Sequence, residues 1–338
     1  CIGLYQQYDL QPGKLINGRP IDSGLRFYFW TQSFGRYTGE NFYHEMSYFT
    51  FLLENMFWSF LPWIFFFLPA LFVAVKEIFM QKMQISGEQE FITTGGFILT
   101  YIVLARSQAQ LPHYIFVVYP LAAVITSKFL YDLFYLNKLV KWQKPLYFFH
   151  LFIFVLLWIA IIVITGWVFK EVPYLFSILA ILGFGLFIWV AAKKTVLIPT
   201  GLAIAFITSV GVNFLLSSSF YPQLLQYQMG NDAAKAIKEK QLNPNDIKLY
   251  GIHNSNALHF YAKHIFPFES NRRLFKPTEK VITSKDSIAV FKSLFPSAYI
   301  VHEGNQFAVS LLTFQFLNPA SRAAETPRYV ILDLDGKP

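Results

Sequence analysis

Long apolar stretches separated by short polar loops dominate the middle of this chain, from residue 56 to residue 217. A helix needs about 20 apolar residues to cross the hydrocarbon core of a bilayer. The stretches that meet this length are 56–76, 114–131, 147–169, 174–192 and 196–217. Pro120 predicts a kink in the second of them. We count the shorter stretch 91–105 as well, so the pattern predicts six membrane-spanning helices.

The short loops between these stretches differ in charge. If loops 77–90, 132–146 and 193–195 share one side, that side carries Lys76, Lys82, Lys128, Lys138, Lys141, Lys144, Lys193 and Lys194. The short loops of the opposite side carry only Arg106 and Lys170. Cytoplasmic loops hold the excess of Lys and Arg in membrane proteins. The pattern therefore predicts that residues 1–49, the loop 106–113 and the tail all face outward.

The tail after residue 218 alternates short elements instead of long apolar runs. Helices are predicted at 233–240, with Asn231 as N-cap, and at 256–264. The predicted strands are 246–252, 298–302, 306–314 and 328–334. The predicted fold class is a membrane all-α bundle followed by a small extracytoplasmic α+β or α/β domain. Its predicted parts are an outer loop with an amphipathic helix at 1–55, the bundle at 56–217 and the domain at 218–338.

Composition supports a membrane protein and excludes some partners. Apolar residues make up 54% of the chain and charged residues 14%, whereas globular proteins average about 45–50% and about 25%. The net charge of +8 is spread over loops and tail, without the compact basic stripe of a nucleic-acid-binding protein. The single cysteine, Cys1, excludes an internal disulfide. We expect a fragment of a longer protein rather than a mature lipoprotein with its lipid on Cys1.

A polar elbow joins the predicted spans 91–105 and 114–131. It contains a guanidinium, two amides, an imidazole and a phenol, on Arg106, Gln108, Gln110, His113 and Tyr114. A guanidinium offers a planar fork to phosphate oxygens, and the helix N-terminus that follows the elbow favours an anion. Arg106 alone is explained equally well by snorkelling to the membrane interface. The polar groups beside it favour a site for an anionic ligand.

The outer segment 24–45 is dense in aromatic side chains and contains Arg26 and Arg36. An amphipathic helix lying on the membrane surface accounts for this composition. The same helix could present Arg36 to a lipid-linked phosphate, and the two interpretations are compatible. We therefore predict Arg36, Arg106 and Tyr114 as phosphate-binding residues. The supporting polar residues in this prediction are Arg26, Gln110 and His113.

Metal binding and other common chemistries have little support. Glu40 and His44 are four positions apart and could share a helix face as ligands. A closed metal site needs three or four ligands, so we predict no metal site and assign no divalent cofactor. The tail histidines lack ligand spacing, and we expect them to be packing or surface residues. The sequence contains no Gly-rich phosphate loop, nucleophile elbow or paired Cys motif.

These motifs resemble those of polyprenyl-phosphate-sugar glycosyltransferases of the aminoarabinose transferase family, relatives of the protein O-mannosyltransferases. The run SQAQLPHYIFVVYPLAAVI at 107–125 is similar to a family segment with Lys-Leu-Pro-x-Tyr before an apolar run with a proline. The runs FYFWTQSFGRYTGEN at 27–41 and FWSFLPWIFF at 57–66 resemble the preceding outer loop and span. The tail is similar to the small extracytoplasmic domain of the family.

The resemblance implies a GT-C fold enzyme of the bacterial inner membrane. Such an enzyme transfers a sugar from a polyprenyl-phosphate donor to lipid A, protein or another glycan on the outer side. The resemblance also implies that Tyr114, Arg36 and Arg106 approach the donor phosphate. Gln110 stands where the family has its elbow Lys, and Ser33 where a His precedes the loop Arg. That cation and any metal site are therefore not carried over.

The resemblance assigns no catalytic residue to this chain. The catalytic carboxylate of the family lies in an Asp-Glu motif of its first outer loop, and the sequence contains no Asp-Glu dipeptide. Because an acceptor hydroxyl or amine needs a base, we expect this portion to be inactive alone. The alternative is a non-enzymatic membrane protein whose outer domain binds a partner or cell-wall polymer. A transporter is disfavoured, since its spans should carry buried ionisable residues or paired broken helices.

Overall fold

The chain forms two compact units. Unit 1 comprises Cys1–Phe154 and Val196–Pro199, and unit 2 comprises Val155–Thr195 and Thr200–Pro338. The computed structural model describes residues 1–11, 13, 15–16, 19–40, 48–80, 91–169, 171–193, 197–252, 256–309 and 312–336.

In its described residues, unit 1 is helical apart from one small two-stranded ladder. Its helices are α1 (Ile2–Leu4), α2 (Gly24–Arg26), α3 (Gly35–Thr38), α4 (Phe51–Ser59), α5 (Ile64–Met80), α6 (Phe91–Ala105), α7 (Tyr119–Leu130) and the first part of α8 (Val140–Val163). Wider π-helical turns at Tyr5–Asp9, Phe27–Phe34 and Tyr131–Tyr135 continue α1, α2 and α7, and a 3₁₀ segment, Pro112–Val118, leads into α7. Strands β1 (Leu15–Ile16) and β2 (Arg19–Pro20) are antiparallel.

Four of the predicted spans are helices long and apolar enough to cross a membrane. Within the described residues these are Pro112–Tyr135, Val140–Val168, Tyr174–Ala191 and Thr200–Leu225. The predicted span 91–105 is the shorter apolar helix α6. The prediction of one continuous helix over 56–76 was wrong, because α4 ends at Ser59 and α5 begins at Ile64. Pro62 lies in the break, and a proline ring cannot continue the hydrogen bonding of a preceding turn.

The helices of unit 2 pack closely around one buried tryptophan. Helix α8 continues as a π-helical turn, Ile164–Val168, and is followed by α9 (Tyr174–Ala191) and α10 (Leu197–Leu215). The Trp158 indole is buried and donates a hydrogen bond from Nε1 to Thr208 Oγ1 at 3.1 Å. A Cβ at Gly183 or at Gly211 would lie 2.4 Å or 2.8 Å from the indole. Two glycines therefore admit the ring of Trp158 between α9 and α10.

The tail folds around a mixed four-stranded sheet in the order β3-β4-β6-β5. The strands are β3 (Ile247–Leu249), β4 (Lys280–Ser284), β5 (Tyr299–Asn305) and β6 (Arg328–Asp333), of which β3 and β4 are parallel and the other neighbours antiparallel. The helices are α11 (Tyr221–Leu225), α12 (Met229–Glu239), α13 (Asn256–Ala262), α14 (Ile288–Leu294), α15 (Phe314–Leu317) and α16 (Arg322–Glu325). Apolar side chains of α12 and α13 cover one face of the sheet, and those of α14 cover the other.

Three details of the predicted tail were wrong. The described residues of the predicted strand 306–314, which are 306–309 and 312–314, form no strand, because Phe307 and Val309 pack with Phe316 against the ends of the apolar helices. Strand β4 was missed. Asn231 lies inside α12, whose N-cap is Gln228.

A buried arginine joins the tail to the apolar helices of unit 2. Arg322 donates from Nε to Phe316 O at 2.8 Å and from Nη2 to Val168 O, at the end of the π-helical turn that continues α8. Its guanidinium carbon lies 4.4 Å from the ring centroid of Phe169. Carbonyl acceptors and aromatic faces are both favourable neighbours for a guanidinium. Arg322 thus fixes the tail against the end of a predicted span.

Candidate functional site

An open cavity of about 240 Å³ lies in unit 1 between the outer segment and the polar elbow. Its lining combines polar groups with one wall of apolar side chains, and includes Gln32, Ser33, Arg36, Leu104, Ser107 and Tyr114. The cavity therefore unites the two regions in which the sequence predicted anion-binding residues.

The outer segment is a short helical rod that ends beside the elbow. Ser23 caps its start by accepting a hydrogen bond from Arg26 N at 3.1 Å, a common N-cap arrangement. The rod continues through the π-helical turns of Phe27–Phe34 into α3 and ends at Gly39, whose φ of 84° is left-handed. A glycine adopts that conformation without steric cost. The rod thereby places Arg36 in its last turn, facing the elbow.

Arg36 contacts one partner in its own helical segment and one from a distant part of the chain. Its Nη1 donates to the Tyr114 hydroxyl at 2.5 Å, and its Nη2 donates to Gln32 Oε1 at 3.1 Å. Its Nε is buried and has no hydrogen-bond partner among the described residues. A buried N–H group without an acceptor costs free energy. The Arg36 guanidinium is thus held in place by two acceptors, and its buried Nε is a donor without an acceptor among the described residues.

The elbow is fixed by bonds to backbone groups. Gln108 N donates to Arg36 O at 3.0 Å, which ties the elbow directly to the outer segment. Gln110 is buried, and its Nε2 donates to Ala105 O at 2.8 Å and to Ser107 O at 2.9 Å. The first bond satisfies the carbonyl group at the end of α6, which has no partner within the helix, and the second satisfies a carbonyl group of the elbow itself. The Nε2 group of Gln110 therefore stabilises the elbow by bonding its backbone and does not point to a ligand.

The structure brings Arg36 and Tyr114 together but does not place Arg106 with them. The Arg106 side chain is exposed and does not line the cavity. His113 is exposed too, and its ring packs edge-on against Tyr114 at 5.0 Å between centroids. Arg26 forms an ion pair with Glu40 at 3.7 Å, on the exposed side of the rod.

The metal candidates do not form a pair within the described residues. His44 lies outside them, and Glu40 accepts a hydrogen bond from Trp30 Nε1 at 3.1 Å in addition to its ion pair. Among the described residues, no group of three or more His, Cys, Asp or Glu side chains is arranged to hold a metal ion.

Sequence reasoning missed Gln32 and Ser107 as cavity residues. A signal for Gln32 exists, because it precedes Arg36 by four positions and residues four apart are neighbours on a helix. The sequence around Ser107 carries no comparable signal. In the folded elbow, its Oγ donates a hydrogen bond to Ala109 O at 3.0 Å. Only the folded elbow turns that residue towards the cavity.

A second polar cluster lies in the tail. Asp232 Oδ2 accepts a hydrogen bond from the Tyr329 hydroxyl at 2.7 Å and contacts His302 Nε2 at 3.0 Å. Burial, followed by the hydrogen bond to Asp232, raises the pKa of the Tyr329 phenol far above its usual range. The three side chains join α12 to β5 and β6. Together they form a packing contact of the domain.

Comparisons with known proteins identify the fold. No protein-family model matches the sequence. An uncharacterized protein of Aquifex aeolicus (strain VF5) is 28% identical over 227 residues, which cover 66% of this chain and 38% of that protein. Two crystal structures of ArnT from Cupriavidus metallidurans, one bound to undecaprenyl phosphate and one in the apo state, align with TM-scores of 0.54.

The ArnT alignment is extensive although the sequences have diverged. It covers 91% of this chain at 18% identity with the lipid-bound structure and 17% with the apo structure. The chain spans 55% and 57% of the length of those ArnT chains. The predicted membrane fold of GT-C type with a small mixed domain is confirmed. This chain has the fold of the corresponding part of ArnT.

Proposed function

We propose that this chain belongs to a membrane glycosyltransferase that uses a polyprenyl-phosphate sugar donor, and that Arg36 and Tyr114 bind the donor phosphate. One observation carries the proposal. Arg36 and Tyr114 line one cavity, are hydrogen-bonded to each other and leave the buried Arg36 Nε unpaired among the described residues, in a fold shared with an ArnT structure that contains undecaprenyl phosphate.

The donor groups at the cavity suit a phosphate. The Tyr114 hydroxyl accepts its hydrogen bond from Arg36, so its own hydrogen is available to a ligand oxygen. A hydroxyl that accepts from a cation becomes a stronger donor, because hydrogen bonds in series polarise one another. The Arg36 Nε and the Tyr114 O–H would then donate to two oxygens of one phosphate. Hydrogen bonds of a guanidinium to a phosphate are among the stronger ones in proteins.

The same donors would assist departure of the lipid. In the proposed transfer, an acceptor oxygen or nitrogen bonds to the anomeric carbon while the bond from that carbon to the phosphate oxygen breaks. The leaving polyprenyl phosphate gains negative charge, which preorganised donors stabilise. The described lining of the cavity contains no carboxylate or imidazole. We therefore assign this chain donor binding and leaving-group stabilisation, and no base for the acceptor.

The proposal includes a location for the site. The lysine-rich loops suggest that the cavity opens on the extracytoplasmic side of a bacterial inner membrane. The proposed parts remain an outer loop with its amphipathic helix at 1–55, a bundle at 56–217 and an extracytoplasmic domain at 218–338. Lipid A, a protein or another glycan would be the acceptor on that side.

The test is sugar transfer by membranes that contain the whole protein. We expect Arg36→Ala and Tyr114→Phe each to reduce transfer from a labelled polyprenyl-phosphate sugar by at least about tenfold, since a hydrogen bond to a charged group contributes about 1.5–3 kcal/mol. Arg328→Ala, which removes an exposed arginine of the tail, is the matched control. Full transfer by both cavity variants would refute the assignment. Binding of a cell-wall polymer without any transfer would favour the non-enzymatic alternative.

A further inference from the structure

Part of the tail exposes large apolar side chains beside cations. Phe260 and Tyr261 at the end of α13 are 76% and 56% exposed, and Ile265 in the following turn is 82% exposed. The neighbouring Lys263 is exposed. Soluble domains seldom expose such a group of large apolar side chains without a partner. The segment therefore has the composition of an interaction surface.

More cations lie beside the same edge of the sheet. Phe268 bridges to Leu249 of β3, the outermost strand, and the 3₁₀ turn that follows contains the exposed residues Arg272 and Arg273. Apolar and aromatic side chains flanked by Lys and Arg are typical of segments that lie in a membrane interface. The apolar groups enter the headgroup region, and the cations attract anionic lipids.

The fold keeps this surface close to the end of a predicted span. The apolar helix Thr200–Leu225 ends five residues before Gly230. A Cβ at Gly230 would lie 2.6 Å from Ala257 Cβ and 2.8 Å from Leu258 N, so α13 touches the first turn of α12. Five residues reach at most about 18 Å, and seven helical residues add about 10 Å. The exposed end of α13 therefore lies within about 28 Å of the end of that apolar helix, which limits how far this surface can be from the bilayer.

We propose that the segment 260–273 docks on the surface of an anionic membrane. Phe260, Tyr261 and Ile265 enter the headgroup region, and Lys263, Arg272 and Arg273 contact lipid phosphates. Arg322, bonded to Val168 O at the end of a predicted span, restrains the domain so that it stays beside the bilayer. This docking does not depend on sugar transfer. It would hold the tail against the membrane whether the protein is a glycosyltransferase or the non-enzymatic binding protein considered above.

Spin labels in proteoliposomes test the docking with the full chain. Because Cys1 is the only cysteine in the sequence, Cys1→Ser gives a background in which Ile265→Cys can be labelled alone. Ser293→Cys, exposed on α14 across the sheet, is the aqueous reference, and Ile178→Cys in α9 is the lipid reference. Accessibility to oxygen and to a water-soluble nickel complex is measured in phosphatidylcholine vesicles with and without phosphatidylglycerol.

With phosphatidylglycerol present, we expect the label at position 265 to resemble the lipid reference. Its oxygen-to-nickel accessibility ratio should exceed that at position 293 severalfold. Replacing Lys263, Arg272 and Arg273 by Gln should shift the equilibrium away from docking. The ratio of membrane-docked to undocked segment should fall by about fivefold for each cation removed. A nickel accessibility at position 265 equal to that at position 293 in both lipids would overturn the proposal. The proposal would also be overturned if the label were shielded from both oxygen and the nickel complex, and more strongly at higher protein concentration. That result would identify contact with a second copy of the chain.

Discussion

Arg36 is held by one neighbour along its own helix and one from a distant loop. Gln32, one turn earlier, accepts from Nη2, and Tyr114, 78 residues later in the chain, accepts from Nη1. An arginine side chain carries considerable rotamer entropy, and two fixed acceptors remove much of it before a ligand arrives. The pair of contacts therefore preorganises the guanidinium for a phosphate.

Substitution of Gln32 tests this preorganisation. We expect Gln32→Ala to weaken binding of a lipid phosphate by about three- to tenfold, since the Arg36 guanidinium loses one of its two fixed acceptors. The measurement is a lipid-phosphate titration of the purified chain in detergent.

Ser33→Ala is the matched control for Gln32→Ala, because Ser33 lines the cavity but makes no hydrogen bond to Arg36 within the described residues. Equal affinity of the Gln32→Ala variant and the unmodified chain would show that Arg36 needs no such restraint.

The sequence indicated Arg36 and Tyr114 by residue type but could not predict their pairing. A guanidinium among aromatic residues and a phenol after a Leu-Pro elbow are both visible in the sequence. Their hydrogen bond depends on the tertiary contact in which Gln108 N donates to Arg36 O. Arg106 does not join this pair, because it directly follows the end of α6 at Ala105 and its side chain is exposed.

Helix packing in unit 2 depends on small residues opposite Trp158. Without a hydrophobic driving force in lipid, helices associate through close van der Waals contact, and glycine allows the closest approach. Gly183 and Gly211 both lie against the indole. Gly185, two positions later in α9, faces away from the contact, and a Cβ added there would have no neighbour within 4 Å.

The three glycines provide a matched set of variants. We expect Gly183→Ala and Gly211→Ala each to destabilise the chain by about 1–3 kcal/mol, because the added methyl overlaps the ring of Trp158. Gly185→Ala should leave stability unchanged or raise it slightly, since alanine is the better helix former. Thermal unfolding in detergent measures the three midpoints. Similar midpoints for Gly183→Ala and Gly185→Ala would argue against the proposed packing.

The elements that sequence patterns predicted best are those with the strongest periodic or apolar signal. Uninterrupted apolar length predicted the helices around 147–169 and 174–192, and α13 fell within its predicted range. Strand β4, which is five residues long and continues into a 3₁₀ turn, was missed, although the shorter strand β3 lies within a predicted one. The range 306–314 has the apolar content of a strand, but Phe307 and Val309 instead pack with Phe316.

At the level of the complete chain, Arg322 connects the two kinds of structure in unit 2. Its guanidinium satisfies carbonyl groups of both the tail and the end of the π-helical turn that continues α8, and lies among aromatic rings. A lysine offers a point charge in place of a planar fork. The fork of Arg322 is therefore required to bond several carbonyls at once.

We expect Arg322→Met to loosen the tail. The substitution leaves Phe316 O and Val168 O without this donor, at about 1–3 kcal/mol for each buried group left unsatisfied. Limited proteolysis should cleave the Arg322→Met variant within residues 300–328 faster than the unmodified chain. The cleavage rate of Arg322→Lys should lie between those of the unmodified chain and Arg322→Met. Arg328→Met is the control, because Arg328 is exposed and pairs with Glu303 at 2.7 Å, a surface contact of small energetic weight. Unchanged cleavage of Arg322→Met would contradict this role.

The arrangement of membrane helices followed by a mixed domain could be predicted because it depends on composition averaged over many residues. The cavity could not, because it depends on where a few side chains meet. Arg322 illustrates the same limit, since an arginine near a chain terminus reads as a solvent-exposed residue until its burial among Phe169, Tyr227 and Phe316 is seen.

The central claim is that Arg36 and Tyr114 recognise the phosphate of a polyprenyl lipid. Its most direct test is equilibrium binding of undecaprenyl phosphate and of undecaprenol to the purified chain and to its Arg36→Ala variant. We predict that the phosphate lipid binds the unmodified chain at least about tenfold more tightly than undecaprenol, and that Arg36→Ala removes most of this difference. Equal affinity for both lipids, or a preference for the phosphate that survives Arg36→Ala, would contradict the account.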